Sequence, residues 1–290
     1  MVSLTPQQFQ LLKNAVKKRS LKLKFTPNWQ AIYRELEIGL PDESERWLFF
    51  TAQDLVKLRQ DVKDHLGLDL FYDDLNVDRM AMSAKSHNEK LAKIRPEAEY
   101  VLMKYLGFES SPTGISTRTS LRIPLDEAQK HCHELNVAAI LVVENLDVFD
   151  VIHQARLPQD LTHVMVIYRG SGHHSPIGVR HFLQAMAGRL PVIAFTDLDP
   201  AGLQIAHTLM GVTHYLVPQL ALTAAAELLA IGQINSTYDF DKQAKQTKYL
   251  QHADLKRWQE LAFWLTQHSI SIKQQHLLAH GLELVLVPYI

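Results

Sequence analysis

Two spacings of apolar residues divide this chain. Up to about residue 110 they recur at intervals of three and four, which predicts helices. The first runs over 7–16, with Thr5 as its cap, Pro6 in its first turn and Gln8 placed to reciprocate the cap. A second covers 28–37, and a third covers 51–66, with Thr51 as cap, Asp54 three residues on and Gly67 as the stop. A fourth is predicted over 96–106, stopped by Gly107. Helices of this length with short strands between them suit a helix-turn-helix or winged-helix module. Past residue 120 the pattern changes. Apolar runs at 138–143, 163–168, 191–196 and 215–217 read as buried strands, and amphipathic stretches at 124–135, 148–155, 179–187 and 201–210 read as helices. Strand and helix alternate with short links, so an α/β fold is expected, with a parallel sheet and helices on both faces. The tail reads as helical from about residue 221, carries a lysine-rich piece at Lys242, Lys245 and Lys248, and ends in a strand over 283–287.

Residues 108–120 are rich in Ser, Thr, Pro and Gly. This stretch places a linker at 111–120, between a helical region 1–110 and an α/β domain 121–290. No apolar run approaches the roughly 18 residues of a membrane span, and no signal-peptide pattern opens the chain, so a cytoplasmic protein without membrane contact is expected. The single cysteine, Cys132, excludes an internal disulfide and a cysteine-cluster zinc site. The fifteen histidines are scattered and form no His-Glu-x-x-His motif.

The net charge of −1 hides an asymmetry. Residues 1–34 hold seven basic side chains and no acid, whereas residues 35–78 hold twelve acids against four basic side chains. A basic face beside an acidic one suggests a polyanion on one side and a protein partner on the other, although a solvated helix face has the same composition. Lys17, Lys18 and Arg19, and farther on Lys85, Lys90, Lys93 and Arg95, are the candidates for following a DNA backbone.

The run 191–206 carries the most chemistry. It reads as a buried strand that ends in Asp197 and Asp199 and turns at once into a helix begun by Pro200, with Gly202 allowing a close backbone approach. The two acids alternate, so they leave the strand end on the same side. Glu144 ends another strand of the same expected sheet. Parallel strands gather their carboxyl ends along one edge, where ligands of open α/β sheets bind. Three carboxylates held together repel one another unless a cation intervenes, so Mg²⁺ or Mn²⁺ is the expected cofactor. Two of the acids also have a plainer reading, whereas Asp197, ending a buried strand, needs a partner. Asp199 before Pro200 looks like a helix cap, and Glu144-Asn145 could be loop polarity.

Val142-Val-Glu-Asn145, with Thr196-Asp-Leu-Asp-Pro-Ala-Gly202 some fifty residues on, resembles a Toprim domain, the metal-binding fold of primases, topoisomerases and certain nucleases. The Asp-x-Asp-Pro-x-Gly form is similar to the A subunit of topoisomerase VI. Glu-Asn after the first strand, with Tyr168-Arg-Gly-Ser-Gly172 after the second, is closer to the Toprim nuclease subunits of Wadjet- and Mks-type condensin systems. The resemblance covers residues 120–290, and over 1–110 it is architectural only. It implies a metal-dependent DNA endonuclease of plasmid or phage defence, a homodimer, working beside an SMC-like complex. It assigns Glu144 as acid/base or bridging ligand, Asp197 and Asp199 as metal ligands, and Arg169 as a phosphate partner. His173 and His174 follow Arg169 as proton-carrier candidates.

Two departures separate the chain from these relatives. Topoisomerase VI-type enzymes place a nucleophilic tyrosine in an Arg-x-x-Tyr-Tyr setting, and none of Tyr33, Tyr72, Tyr100 and Tyr105 has it. Hydrolysis by water is therefore expected in place of DNA transesterification. The condensin-associated nucleases often carry a Gln-Glu pair near the C-terminus, where Ser271-Ile-Lys-Gln-Gln275 has glutamine instead. That leaves three alternatives open: the transesterase, a Toprim-like scaffold eroded at Gln275 that binds DNA or a partner, and a small-molecule phosphotransfer enzyme. Glu283 is the one candidate to replace the missing acid.

Overall fold

The computed structural model describes residues 4–94, 96–108, 114, 116, 118–171 and 176–290. Arg95, His173, His174 and much of the expected linker lie outside the described residues. The chain divides into two compact units, Met1–Pro96 and Glu97–Ile290.

In the first unit the predicted caps form. Helix Pro6–Lys17 starts at Thr5, whose hydroxyl accepts from the Gln8 N–H while the Gln8 side chain accepts from the Thr5 N–H. Helix Ala52–Leu66 has the same reciprocal cap between Thr51 and Asp54, and Gly67 ends it at a φ of +72°. Between them lie β1 (Lys22–Lys24), helix Pro27–Leu36, β2 (Leu40–Pro41) and β3 (Trp47–Phe49). The strands form an antiparallel sheet in the order β1-β3-β2. Phe9, Leu12, Ile32, Leu48, Leu58 and Val62 fill the core of this unit.

The second unit holds a seven-stranded sheet in the order β10-β9-β8-β6-β7-β4-β5. Its strands are β4 (Tyr100–Leu106), β5 (Leu121–Pro124), β6 (Ala139–Val143), β7 (Val164–Tyr168), β8 (Val192–Phe195), β9 (Val212–Pro218) and β10 (Leu284–Pro288). The four central strands β9, β8, β6 and β7 run parallel. The sheet is nevertheless mixed, because β10 is antiparallel to β9 and the β4–β5 hairpin is antiparallel to β7. Successive residues of β6 point to opposite faces. Leu141 and Val143 join one core with helices Leu146–Val151, Pro200–Thr208 and Gln259–Gln267. Ile140 and Val142 join the other with helices Leu125–Glu134 and Ile177–Met186.

The helix expected over 96–106 is a strand. Val101, Met103 and Tyr105 face one core, and Leu102 and Leu106 pack against the other. Apart from the buried Lys104, β4 is an apolar run covered on both faces, which short-range periodicity does not distinguish from a buried helix. Gly107, the expected helix stop, turns the chain out of β4 at a φ of +72°. Because β4 belongs to this sheet, the division between units falls before it, ahead of the expected linker at 111–120. Among the described residues, no helix is long and apolar enough to cross a membrane.

Candidate functional site

The β6 and β8 strands are adjacent and parallel, with Val143 opposite Phe195. Glu144 is the next residue after β6, and Asp197 comes two residues after β8. Glu144 leaves β6 with its N–H on the Phe195 carbonyl at 3.0 Å. Its Oε2 accepts from the Asp197 N–H at 3.3 Å, and its Oε1 accepts from Arg169 Nη2 at 3.3 Å. Arg169 follows β7, on the other side of β6, so three neighbouring strands supply these groups. Its Nε is buried without a partner among the described residues.

The segment after β8 is extended and pinned by the chain near residue 272. The Leu198 and Ile272 backbones exchange hydrogen bonds of 2.8 and 3.1 Å. This bridge sets Ser271, Lys273 and Gln274 beside the two aspartates. Asp197 Oδ1 accepts from the Gln274 N–H at 2.8 Å, and Asp197 Oδ2 lies 3.4 Å from Lys273 Nζ. Asp199 Oδ2 is 4.0 Å from the same ammonium, so the alternating acids do share a side.

The three acids differ in what they leave open. Asp199 is 2% exposed and its carboxylate is occupied. Oδ1 caps helix Pro200–Thr208 through the Gly202 N–H at 2.7 Å, and Oδ2 accepts from Gln243 Nε2 at 2.8 Å and Ser271 Oγ at 3.1 Å. Its helix-cap reading is the one seen. Glu144 and Asp197 keep about a fifth of their side-chain surface exposed, at 21% and 20%. Burial pushes both above the usual carboxylate range. For Glu144 the Asp197 charge adds to this and Arg169 opposes it. For Asp197 the Gln274 N–H and Lys273 oppose it. Burial depresses Lys273, but the aspartate pair more than offsets this and holds it above its ordinary value. The two directions have different origins: burial disfavours the charged carboxylates, whereas the neighbouring aspartates favour the charged ammonium.

Gly202 and Tyr215 fix the turn. A Cβ on Gly202 would lie 1.9 Å from the Asp197 carbonyl oxygen, which is the close approach the sequence predicts. The fully buried Tyr215 hydroxyl donates to that same oxygen at 2.9 Å. Gln274, 0% exposed, ties the strand ends together. Its Oε1 accepts from the Asn145 N–H at 3.0 Å, and its Nε2 donates to the Phe195 carbonyl at 2.9 Å.

Sequence reasoning brought Glu144, Asp197, Asp199 and Arg169 to one edge and missed Lys273, Gln274, Ser271, Gln243 and Tyr215. The stretch 271–275 drew notice only for Gln275, which is exposed. Its neighbours Lys273 and Gln274 are the residues that reach the acids. Glu283 is also exposed; it precedes β10, two strands from β8 in the sheet. Lys17, Lys18, Arg19, Lys85, Lys90 and Lys93 are exposed and belong to the first unit. Lys85 bonds Asp73 at 3.2 Å. Lys13 is buried instead, donating to the Asp73 carbonyl at 2.6 Å, so it leaves the expected basic face.

Among the described residues, no three His, Cys, Asp or Glu side chains form a group that could hold a metal ion. Mg²⁺ does not require three. It keeps several waters and binds through one or two carboxylates plus substrate phosphates. Glu144 and Asp197, partly exposed on adjacent strand ends, fit that mode, whereas the enclosed Asp199 carboxylate does not. A search of curated proteins finds no match. Residues 97–286, almost the whole second unit including every residue of the acid cluster, match DUF7281, a domain of unknown function, and the chain belongs to that family.

Proposed function

We propose that this protein is a metal-dependent DNA endonuclease that hydrolyses phosphodiester bonds, built on a Toprim-like second unit. One observation carries the reading: Glu144 and Asp197 end adjacent parallel strands and share a hydrogen bond at the open carboxyl edge. Glu144 and Asp197 would hold Mg²⁺ or Mn²⁺. Such an ion polarises a bound water and steadies the departing oxygen. Arg169, held by Glu144 through Nη2 and 27% exposed, would offer a guanidinium N–H to a phosphate. Asp199 acts through the backbone, fixing the helix start that sets the direction of Asp197. In the first unit, helices Pro6–Lys17, Pro27–Leu36 and Ala52–Leu66 with an antiparallel β1-β3-β2 sheet support a winged-helix-like DNA- or partner-binding module. Its exposed lysines suit a phosphate backbone. The resemblance to condensin-associated nucleases extends the proposal to a dimer acting with an SMC-like complex.

The transesterase finds less support. Tyr100 and Tyr105 lie within β4, and Tyr105 is 3% exposed and bonded to His131. The second reading, a DNA- or partner-binding scaffold, is favoured by Lys273, whose ammonium stands against Asp197.

The test is cleavage of supercoiled plasmid in Mg²⁺ and Mn²⁺, alone and with an SMC-like complex from the same organism. Nicked or linear product that disappears with EDTA and in Asp197→Ala is the expected result. Equal cleavage by Asp197→Ala would move the site elsewhere. DNA binding without cleavage in any of these conditions would leave the scaffold.

A further inference from the structure

Lys273 holds a position that the endonuclease reading does not explain. Its Nζ is 3.4 Å from Asp197 Oδ2 and 4.0 Å from Asp199 Oδ2. The backbone around it is fixed on both sides. Ile272 exchanges two hydrogen bonds with Leu198, and the Gln274 N–H binds Asp197 Oδ1. The side chain itself is 40% exposed, so it can swing into solvent while the backbone stays in place. Asp199 has no oxygen to spare, because Gly202, Gln243 and Ser271 occupy both. The only partner seen for Asp197 Oδ2 among the described residues is Lys273. That oxygen is therefore both the open ligand position and the seat of the ammonium.

We propose that Lys273 is a resident counter-ion that competes with a divalent cation for Asp197, so that the site takes up metal only as this side chain leaves. The proposal rests on Glu144 and Asp197 being the metal-holding pair. A cation bound to Asp197 Oδ2 lies about 2 Å from that oxygen. The ammonium in its present position would then stand within a few ångströms of a double positive charge, and the two repel. Lys273 differs in this from Arg169, which pairs with the other acid. Removing Arg169 would free Glu144 Oε1, whereas removing Lys273 frees Asp197 Oδ2. Any anion that draws the ammonium away, such as a phosphate of the substrate, would open the same position. Metal uptake and substrate binding would then reinforce each other.

The experiment is a Mn²⁺ titration of the full chain, reading free Mn²⁺ by electron paramagnetic resonance, with melting temperature measured in parallel. Lys273→Met is expected to bind Mn²⁺ at least tenfold more tightly than wild type, with a larger Mn²⁺-induced rise in melting temperature. Lys273→Arg, which keeps the charge, should bind as weakly as wild type. The double variant Lys273→Met/Asp197→Asn should lose the gain. Circular dichroism establishes that each variant is folded, and Lys273→Gln replaces Lys273→Met if the latter is not. Unchanged or weaker binding in the neutral variant, or a gain that survives Asp197→Asn, overturns the proposal. The two readings fail separately. Tighter Mn²⁺ binding with no DNA cleavage by any form would sink the endonuclease and leave the counter-ion, and cleavage by wild type without a gain in Lys273→Met would do the reverse.

Discussion

At the scale of single residues, Gln274 has the most to lose. It is fully buried, and its side chain accepts from the Asn145 N–H and donates to the Phe195 carbonyl. Truncation strands both groups in the interior, and a buried group left unpaired costs about 1–3 kcal/mol. Gln274→Ala should therefore lower unfolding free energy by roughly 2–5 kcal/mol in urea titration, and a loss under about 1 kcal/mol would show that water replaces the amide. The residue also marks the limit of what the sequence discloses. Asp197 and Glu144 are legible because a carboxylate that ends an apolar run needs a partner. Asp199 before Pro200 is legible as a cap. Lys273 and Gln274 are ordinary polar residues at the start of a helix, and their role depends on a bridge between positions 198 and 272 that no local pattern encodes.

At the scale of elements, the turn from β8 into helix Pro200–Thr208 is the tightest device in the site. Gly202 sits against the Asp197 carbonyl, and Thr196 Oγ1 donates to the Gly202 carbonyl at 2.9 Å. Adding one methyl forces the helix away from the strand that aims Asp197. Gly202→Ala should cost more than about 3 kcal/mol or prevent folding, as judged by thermal unfolding, because a packed backbone does not yield to overpacking. A variant as stable as wild type would show that the turn relaxes. The parallel core was legible because β6, β7 and β8 are apolar runs bounded by polar turns and separated by amphipathic helices. The β4–β5 hairpin was not. The first strand reads as helix, and the segment joining it to the second reads as an interdomain linker. The partnership of β4 with β7 is settled by tertiary packing.

At the scale of the whole molecule, each compact unit has its own core: Phe9, Leu12 and Leu58 belong to the first, and Leu141, Phe195 and Trp258 to the second. The DUF7281 match keeps within the second. A fragment 97–290 should fold alone and unfold cooperatively in a calorimeter, and failure to do so would show that it borrows stability from the first unit. The change of pattern along the chain disclosed that there are two parts. It placed the division at 111–120, whereas the compact units divide between Pro96 and Glu97. The bond from Asn145 to Gln274 spans 129 positions, and the one from Asp197 to Gln274 spans 77. Contacts that distant form slowly, since a long loop must close first. During synthesis Glu144 and Asp197 emerge well before the segment that compensates them. The nascent chain thus passes through a stage in which its acids lack Lys273 and Gln274, and the site acquires its final charge only after strands β4 to β9 have been made.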